Sequence, residues 1–211
     1  MRPPDIGSKT PAEFWEEIYV NASPQTSGTP SKILAHYVAE RTPGRARELG
    51  CAKGDDAVWL AKQGWQGMGV DISHVALDFA AANAERNGMT DRITFEQHDL
   101  AKSFPQGAFD LVSALFLQTP FDFPRARVLQ AAASAVRPAG LLLVATHQTY
   151  ASWSWSASDT PEVTAQMRLG EIGLDLSQWQ QTFVGPFERQ ARGPNGQIET
   201  VTDAVLALER R

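Results

Sequence analysis

The sequence has a single cysteine, Cys51, so no intrachain disulfide can form and a reducing compartment is expected. Its four histidines stand in no metal-like spacing, and Cys51 has no partner, so no metal site is expected. Long hydrophobic runs are missing. The longest, "GLLLVAT", is far too short to span a bilayer, and the opening "MRPPDIGSKTPAEFW" lacks the apolar core of a signal peptide. A soluble, cytoplasmic protein without a membrane partner is the expectation. Excess positive charge is missing too: 19 Lys and Arg against 24 Asp and Glu leave a net charge of −5. Nothing electrostatic therefore draws the chain to nucleic acid, and small-molecule partners are expected. There are no repeats and no low-complexity segment.

What is present is an ordinary globular composition, 43% hydrophobic over 211 residues, enough for one well-packed domain. After a loose tail of about ten residues, "TPAEFWEEIY" reads as a helix with Thr10 as N-cap and Pro11 at its first position. "VNASPQTSGTPS" reads as a loop, and "SKILAHYVAER" as a second helix ending at Pro43-Gly44. Strands are then expected at about Ala46–Gly50 and Gly67–Asp71, in "RITFEQHD", "FDLVSALF" and "GLLLVATH". Helices alternate with them at about Asp55–Gln63, Ser73–Asn87 and Arg125–Val136. "PEVTAQMRLGEIG" reads as a further helix. Two strand-like segments near Gln180–Arg192 and Ile198–Glu209 flank the hairpin signal "GPNGQ". The fold class expected is α/β: a single Rossmann-like doubly wound sheet, mostly parallel, with an antiparallel C-terminal hairpin.

The turn "ELGCAKGDD" admits three readings. It can be a turn that binds nothing. It can be a dinucleotide site, but in that register Gly50 is followed by Ala52 and Asp55 where glycines belong. A pyrophosphate at that helix start would also meet Asp55 and Asp56, whose charges satisfy the helix dipole, instead of bare amides. The third reading takes Glu48, Gly50, Ala52 and Gly54 as an acidic residue followed by small residues on alternate positions. This resembles the first motif of class I S-adenosyl-L-methionine-dependent methyltransferases, with Ala52 replacing the middle glycine.

The resemblance runs from about Phe14 to His147, plus the closing hairpin. It implies S-adenosyl-L-methionine as cofactor, S-adenosyl-L-homocysteine as product, and methyl transfer to a small-molecule acceptor. By the same resemblance Glu48 attracts the cofactor's cation, while Gly50, Cys51, Ala52 and Gly54 form the close-approach turn. Asp71 binds the ribose hydroxyls and Ile72 packs on the adenine. Asp99 and Leu100 meet the adenine edge, and Leu115 and Phe116 flank the methionine portion. The short chain and helical lead-in look like the tellurite-resistance and thiopurine-type branch, which nominates Trp15 and Tyr19 as cofactor-closing residues. The organisation implied is one methyltransferase domain: a lead-in over 1–43, a cofactor core over 44–149, and a substrate-side loop, helix and hairpin over 150–211. A non-catalytic domain of this fold and a nicotinamide-dependent oxidoreductase stand as the alternatives.

His147 and Tyr150, just past the fifth strand, are the candidate catalytic bases, because the crevice beyond the strand ends is where ligands sit. His98 is expected to be peripheral. Trp153 and Trp155 of "SWSWS", with Phe121 and Phe123, are candidates for an aromatic wall selecting a planar or apolar acceptor; Asp122 between the two phenylalanines is a further base candidate.

Overall fold

The structure, a computed structural model, describes residues 6–154 and 162–211. Two short helices, α1 (Pro11–Val20) and α2 (Lys32–Val38), precede the alternating core. That core runs β1 (Arg45–Leu49), α3 (Asp55–Lys62), β2 (Gln66–Asp71), α4 (His74–Arg86), β3 (Ile93–Gln97), β4 (Phe109–Leu115), α5 (Arg125–Ser134) and β5 (Val136–His147). After it come α6 (Ala165–Ile172), β6 (Trp179–Arg192) and β7 (Ile198–Arg210). The seven strands form one sheet in the order β3-β2-β1-β4-β5-β7-β6. Five are parallel, and β7 enters antiparallel between β5 and β6.

Local signals account for most boundaries. Thr10 accepts the amide of Glu13, whose carboxylate returns to the Thr10 amide at 2.8 Å, so a capping box starts α1. Ser73 and Thr164 cap α4 and α6 by side-chain oxygen alone, accepting the amides of Ala76 and Met167. β5 begins earlier than its apolar run: Val136 pairs with Phe109, four residues carry the chain through Ala139 at φ 60°, and pairing resumes at Leu141. Because of this interruption the apolar run, read alone, starts the strand at Gly140 instead of Val136.

The central strands are apolar on both faces because helices cover both. Val112, Ala114, Leu142 and Val144 pack with Leu129 and Ala132 of α5 and Ile172 of α6. Their alternating neighbours, Leu111, Leu115, Leu141 and Leu143, pack with Ile33, Leu34 and Val38 of α2 and Leu60 of α3. Each fully buried leucine contributes about 1.5–3 kcal/mol over an exposed one, so neither face can be left bare. Among the described residues no helix is long and apolar enough to cross a membrane.

Candidate functional site

The chain runs outward from β1 to β3 and returns to β4, so the sheet order reverses between β1 and β4. Ligands of open α/β sheets sit at such a reversal, beyond the strand carboxyl ends. A cavity of about 360 Å³ opens there. Its walls include Gly50 and Ala52 of the turn, Asp71 and Ile72 after β2, Asp99 and Leu100 after β3, and Leu115 and Phe116 at the end of β4. Trp15 and Tyr19 reach it from α1.

The turn is held by backbone and by one acid. The amides of Gly50 and Cys51 both donate to Val70 O, at 2.7 and 2.9 Å, and Gly54 N donates to Cys51 O at 2.8 Å. Asp71 Oδ2 accepts the Ala52 amide at 2.9 Å, and its Oδ1 accepts that of Ser73 at 3.0 Å. Gly50 takes φ 74° and borders the cavity so closely that an added Cβ would stand 2.9 Å from Leu117 Cδ1. Ala52 also lies in the left-handed region, at φ 48°.

Glu48, Cys51 and Gly54 do not line the cavity. Glu48 and Cys51 are buried behind the turn, and Gly54 begins α3 with backbone packed on Ala80. Burial, reinforced by the nearby Asp56 and Asp71, pushes the Glu48 carboxyl well above its usual range. Its Oε2 is buried without a partner among the described residues. Asp71 is raised by burial too, against the lowering pull of the Ser73 and Ala52 amides. The acids that do line the cavity, Asp71, Asp99 and Asp122, fit a ligand that brings positive charge and hydroxyl donors.

Asp55 and Asp56 lie in the first turn of α3 as expected, but they also hold the preceding loop. Asp55 accepts from the Ser27 amide at 3.1 Å, the Ser27 hydroxyl at 2.9 Å and Asn83 at 3.1 Å. Asp56 accepts the Ser31 amide at 2.6 Å, and Lys53 donates to the carbonyl of Ser23. Farther along, Glu16 accepts from the Ser73 hydroxyl at 2.7 Å. The lead-in is thereby strapped to the turn and to α4, with Trp15 and Tyr19 over the cavity.

Phe121, Asp122 and Phe123 line the cavity, and the Phe121 ring meets Phe14 of α1 edge-on at 5.3 Å. Trp153 does not line it, and Trp155 lies outside the described residues. His98 is a correction: the residue expected at the periphery is in the wall, with Nδ1 2.8 Å from the Ser103 hydroxyl. Its place follows from the strand, since the amide of His98 donates to Asp71 O at 2.9 Å and carries it to the β2 end. His147 and Tyr150 stand just outside. The His147 ring stacks on Phe116 at 4.5 Å, and the Tyr150 hydroxyl accepts from Gln118, a wall residue, at 3.1 Å. Sequence reasoning missed Gln118, Thr119 and the Arg189–Asp203 pair beside His147; the hairpin residues carry no local motif that could have marked them.

Residues 47–140 match the family model of the methyltransferase domain. The ribosomal RNA small subunit methyltransferase C of Alcanivorax borkumensis is 32% identical over 133 residues, covering 59% of this chain and 39% of that protein. The ribosomal protein L11 methyltransferase of Thermus thermophilus is 36% identical over 90 residues, 43% of this chain and 34% of its own length. The chain thus spans little more than a third of either relative. Its fold matches a protein solved in a study of the conversion of a disulfide bond into a thioacetal group during echinomycin biosynthesis. That match has a TM-score of 0.72 at 20% identity and covers 94% of this chain and 92% of that one. A SAM-dependent methyltransferase from Geobacter sulfurreducens in complex with S-adenosyl-L-homocysteine matches at TM-score 0.60 and 17% identity, over 92% and 96% of the two chains. These structural likenesses, at such identities, establish the fold.

Proposed function

We propose that this chain, whose residues 47–140 carry a methyltransferase domain, transfers the methyl group of S-adenosyl-L-methionine to a small-molecule acceptor. The carrying observation is the small-residue turn, Gly50 and Ala52, set beside Asp71 and Asp99 in one cavity wall. S-adenosyl-L-methionine has no phosphate. It offers an ammonium and a sulfonium to the acids and ribose hydroxyls to Asp71. Asp71 accepts the amides of Ala52 and Ser73 and still lines the cavity, where it can accept a ligand hydroxyl. A pyrophosphate, by contrast, would enter a cavity lined by Asp71, Asp99 and Asp122.

Bound there, the cofactor supplies an electrophilic methyl group. The protein's own work is alignment and exclusion of water. Trp15 and Tyr19 close over the turn, Ile72 and Leu100 bracket the adenine position, and Phe116 with Phe121 and Phe123 forms an apolar wall for the acceptor. The net charge of −5 supports a small acceptor over a nucleic acid.

Calorimetry of the purified protein, freed of carried-over ligand, tests the assignment. Micromolar binding of S-adenosyl-L-methionine and S-adenosyl-L-homocysteine without binding of NADH is expected. Binding of NADH alone would overturn it.

A further inference from the structure

His147 closes β5, and the antiparallel register sets it directly opposite Asp203 of β7. Asp203 is fully buried. Its Oδ1 lies 3.0 Å from His147 Nδ1, and its Oδ2 accepts Arg189 Nε at 2.6 Å. Arg189 Nη2 is 3.3 Å from Oδ1 and 3.4 Å from His147 Nδ1. The nitrogen facing the carboxylate must carry hydrogen, because two lone pairs at 3.0 Å repel. The Arg189 donor at 3.4 Å is at the limit of a hydrogen bond and is already engaged by Asp203. In the neutral ring the proton therefore sits on Nδ1, and Nε2 keeps its lone pair, with no partner among the described residues.

The Arg189–Asp203 ion pair needs no histidine to satisfy it, so hairpin packing alone does not account for the third member. The imidazole is placed at the carboxyl edge of the sheet with its side chain 29% exposed. Phe116, stacked on the ring, is also part of the cavity wall. Tyr150, edge-on to the same imidazole at 5.3 Å, is bonded to the wall residue Gln118. A base held by an acid at one nitrogen, with the other left free beside a cavity, is the arrangement that proton abstraction requires.

Resting on the function proposed above, we propose that His147 Nε2 is the general base for a hydroxyl acceptor, with Asp203 and Arg189 as positioning residues. The acceptor class is a small aromatic alcohol, seated on the Phe116, Phe121 and Phe123 rings with its hydroxyl at the Phe116 edge. A thiol or metalloid nucleophile needs no such base. As the acceptor oxygen bonds to the methyl carbon, the carbon–sulfur bond breaks with its electron pair left on sulfur. The hydroxyl proton passes to Nε2 and then to solvent.

Two measurements test this. Long-range proton–nitrogen correlation on histidine-labelled protein reads the tautomer with or without cofactor. It is expected to show His147 protonated at Nδ1, and to lose that preference in Asp203→Asn. Protonation at Nε2 in the wild type overturns the proposal. Transfer of labelled methyl to catechol and to thiophenol is the second. His147→Asn keeps a donor to Asp203, so the hairpin is preserved. It is expected to lower kcat for catechol by about 10²–10⁴-fold with little change in KM or cofactor affinity, and to spare thiophenol. Equal losses on both probes, no loss on catechol, or no transfer to catechol by a cofactor-bound wild type overturns it. If the protein binds no S-adenosyl-L-methionine, the methyl-transfer assignment itself fails, and the tautomer still decides the positioning.

Discussion

Asp71 Oδ2 holds the amide of Ala52 at 2.9 Å across 19 residues of chain, tying the end of β2 to the turn after β1. One carboxylate thus shapes the turn and faces the cavity at the same time. Its other oxygen holds Ser73 N, at the start of α4.

Removing that carboxylate has two separable effects. Asp71→Ala leaves the amides of Ala52 and Ser73 without their acceptor, and stability is expected to fall by about 1–3 kcal/mol in denaturant titration. Affinity for S-adenosyl-L-methionine is expected to fall by about 1–3 kcal/mol through lost charge-assisted hydrogen bonds. A folded variant with wild-type affinity in calorimetry removes Asp71 from the binding site.

Ala52 stands where this motif elsewhere has glycine, and its φ of 48° is left-handed. An L-residue is disfavoured there by roughly 1–2 kcal/mol, whereas glycine is not. Ala52→Gly is therefore expected to raise the thermal midpoint, less the extra freedom that glycine gives the unfolded chain. Cofactor affinity should stay within about threefold, since the backbone path is unchanged. A lower midpoint would show that the methyl group packs usefully.

Burial lifts the Asp56 carboxyl to about 6, partly offset by the Ser31 amide it accepts, and Asp55 adds to the lift. A raised folded value means the native state holds this proton more tightly than the unfolded chain, whose value is near 3.8. Asp56 therefore contributes less to stability as pH rises from about 4 through 6, and its contribution is level above that. Asp56→Asn, which cannot ionise, should gain on the wild type by about 1–3 kcal/mol over the same window in paired denaturant titrations at pH 4 and 7. A constant difference between the two proteins would show that Asp56 titrates normally.

Much of the fold was legible because its signals are local. Apolar residues at helical spacing, Thr10 before Pro11, and Gly64 and Gly88 after α3 and α4 mark elements within a few residues of where they stand. The resemblance to the methyltransferase motifs, laid along that order of elements, is what nominates Gly50, Ala52, Asp71 and Phe116 together. His98 was misplaced because nothing near it in sequence reveals that its amide joins the β2 end. Glu48, Cys51 and Gly54 are nominated with the turn, yet none of them lines the cavity, because which residues face it depends on the path of the backbone through left-handed angles.

The sequence by itself determined the alternating core and its closing hairpin, since periodicity and turn chemistry act over a few residues; the strand order, with its reversal between β1 and β4, belongs to the tertiary structure. The tertiary structure alone decided the contacts between distant segments. Ser27 meets Asp55 across 28 residues, and His147 meets Asp203 across 56. Those meetings depend on strand register and on β7 entering the sheet between β5 and β6, which are settled by packing over the whole sheet and not by any local stretch of chain.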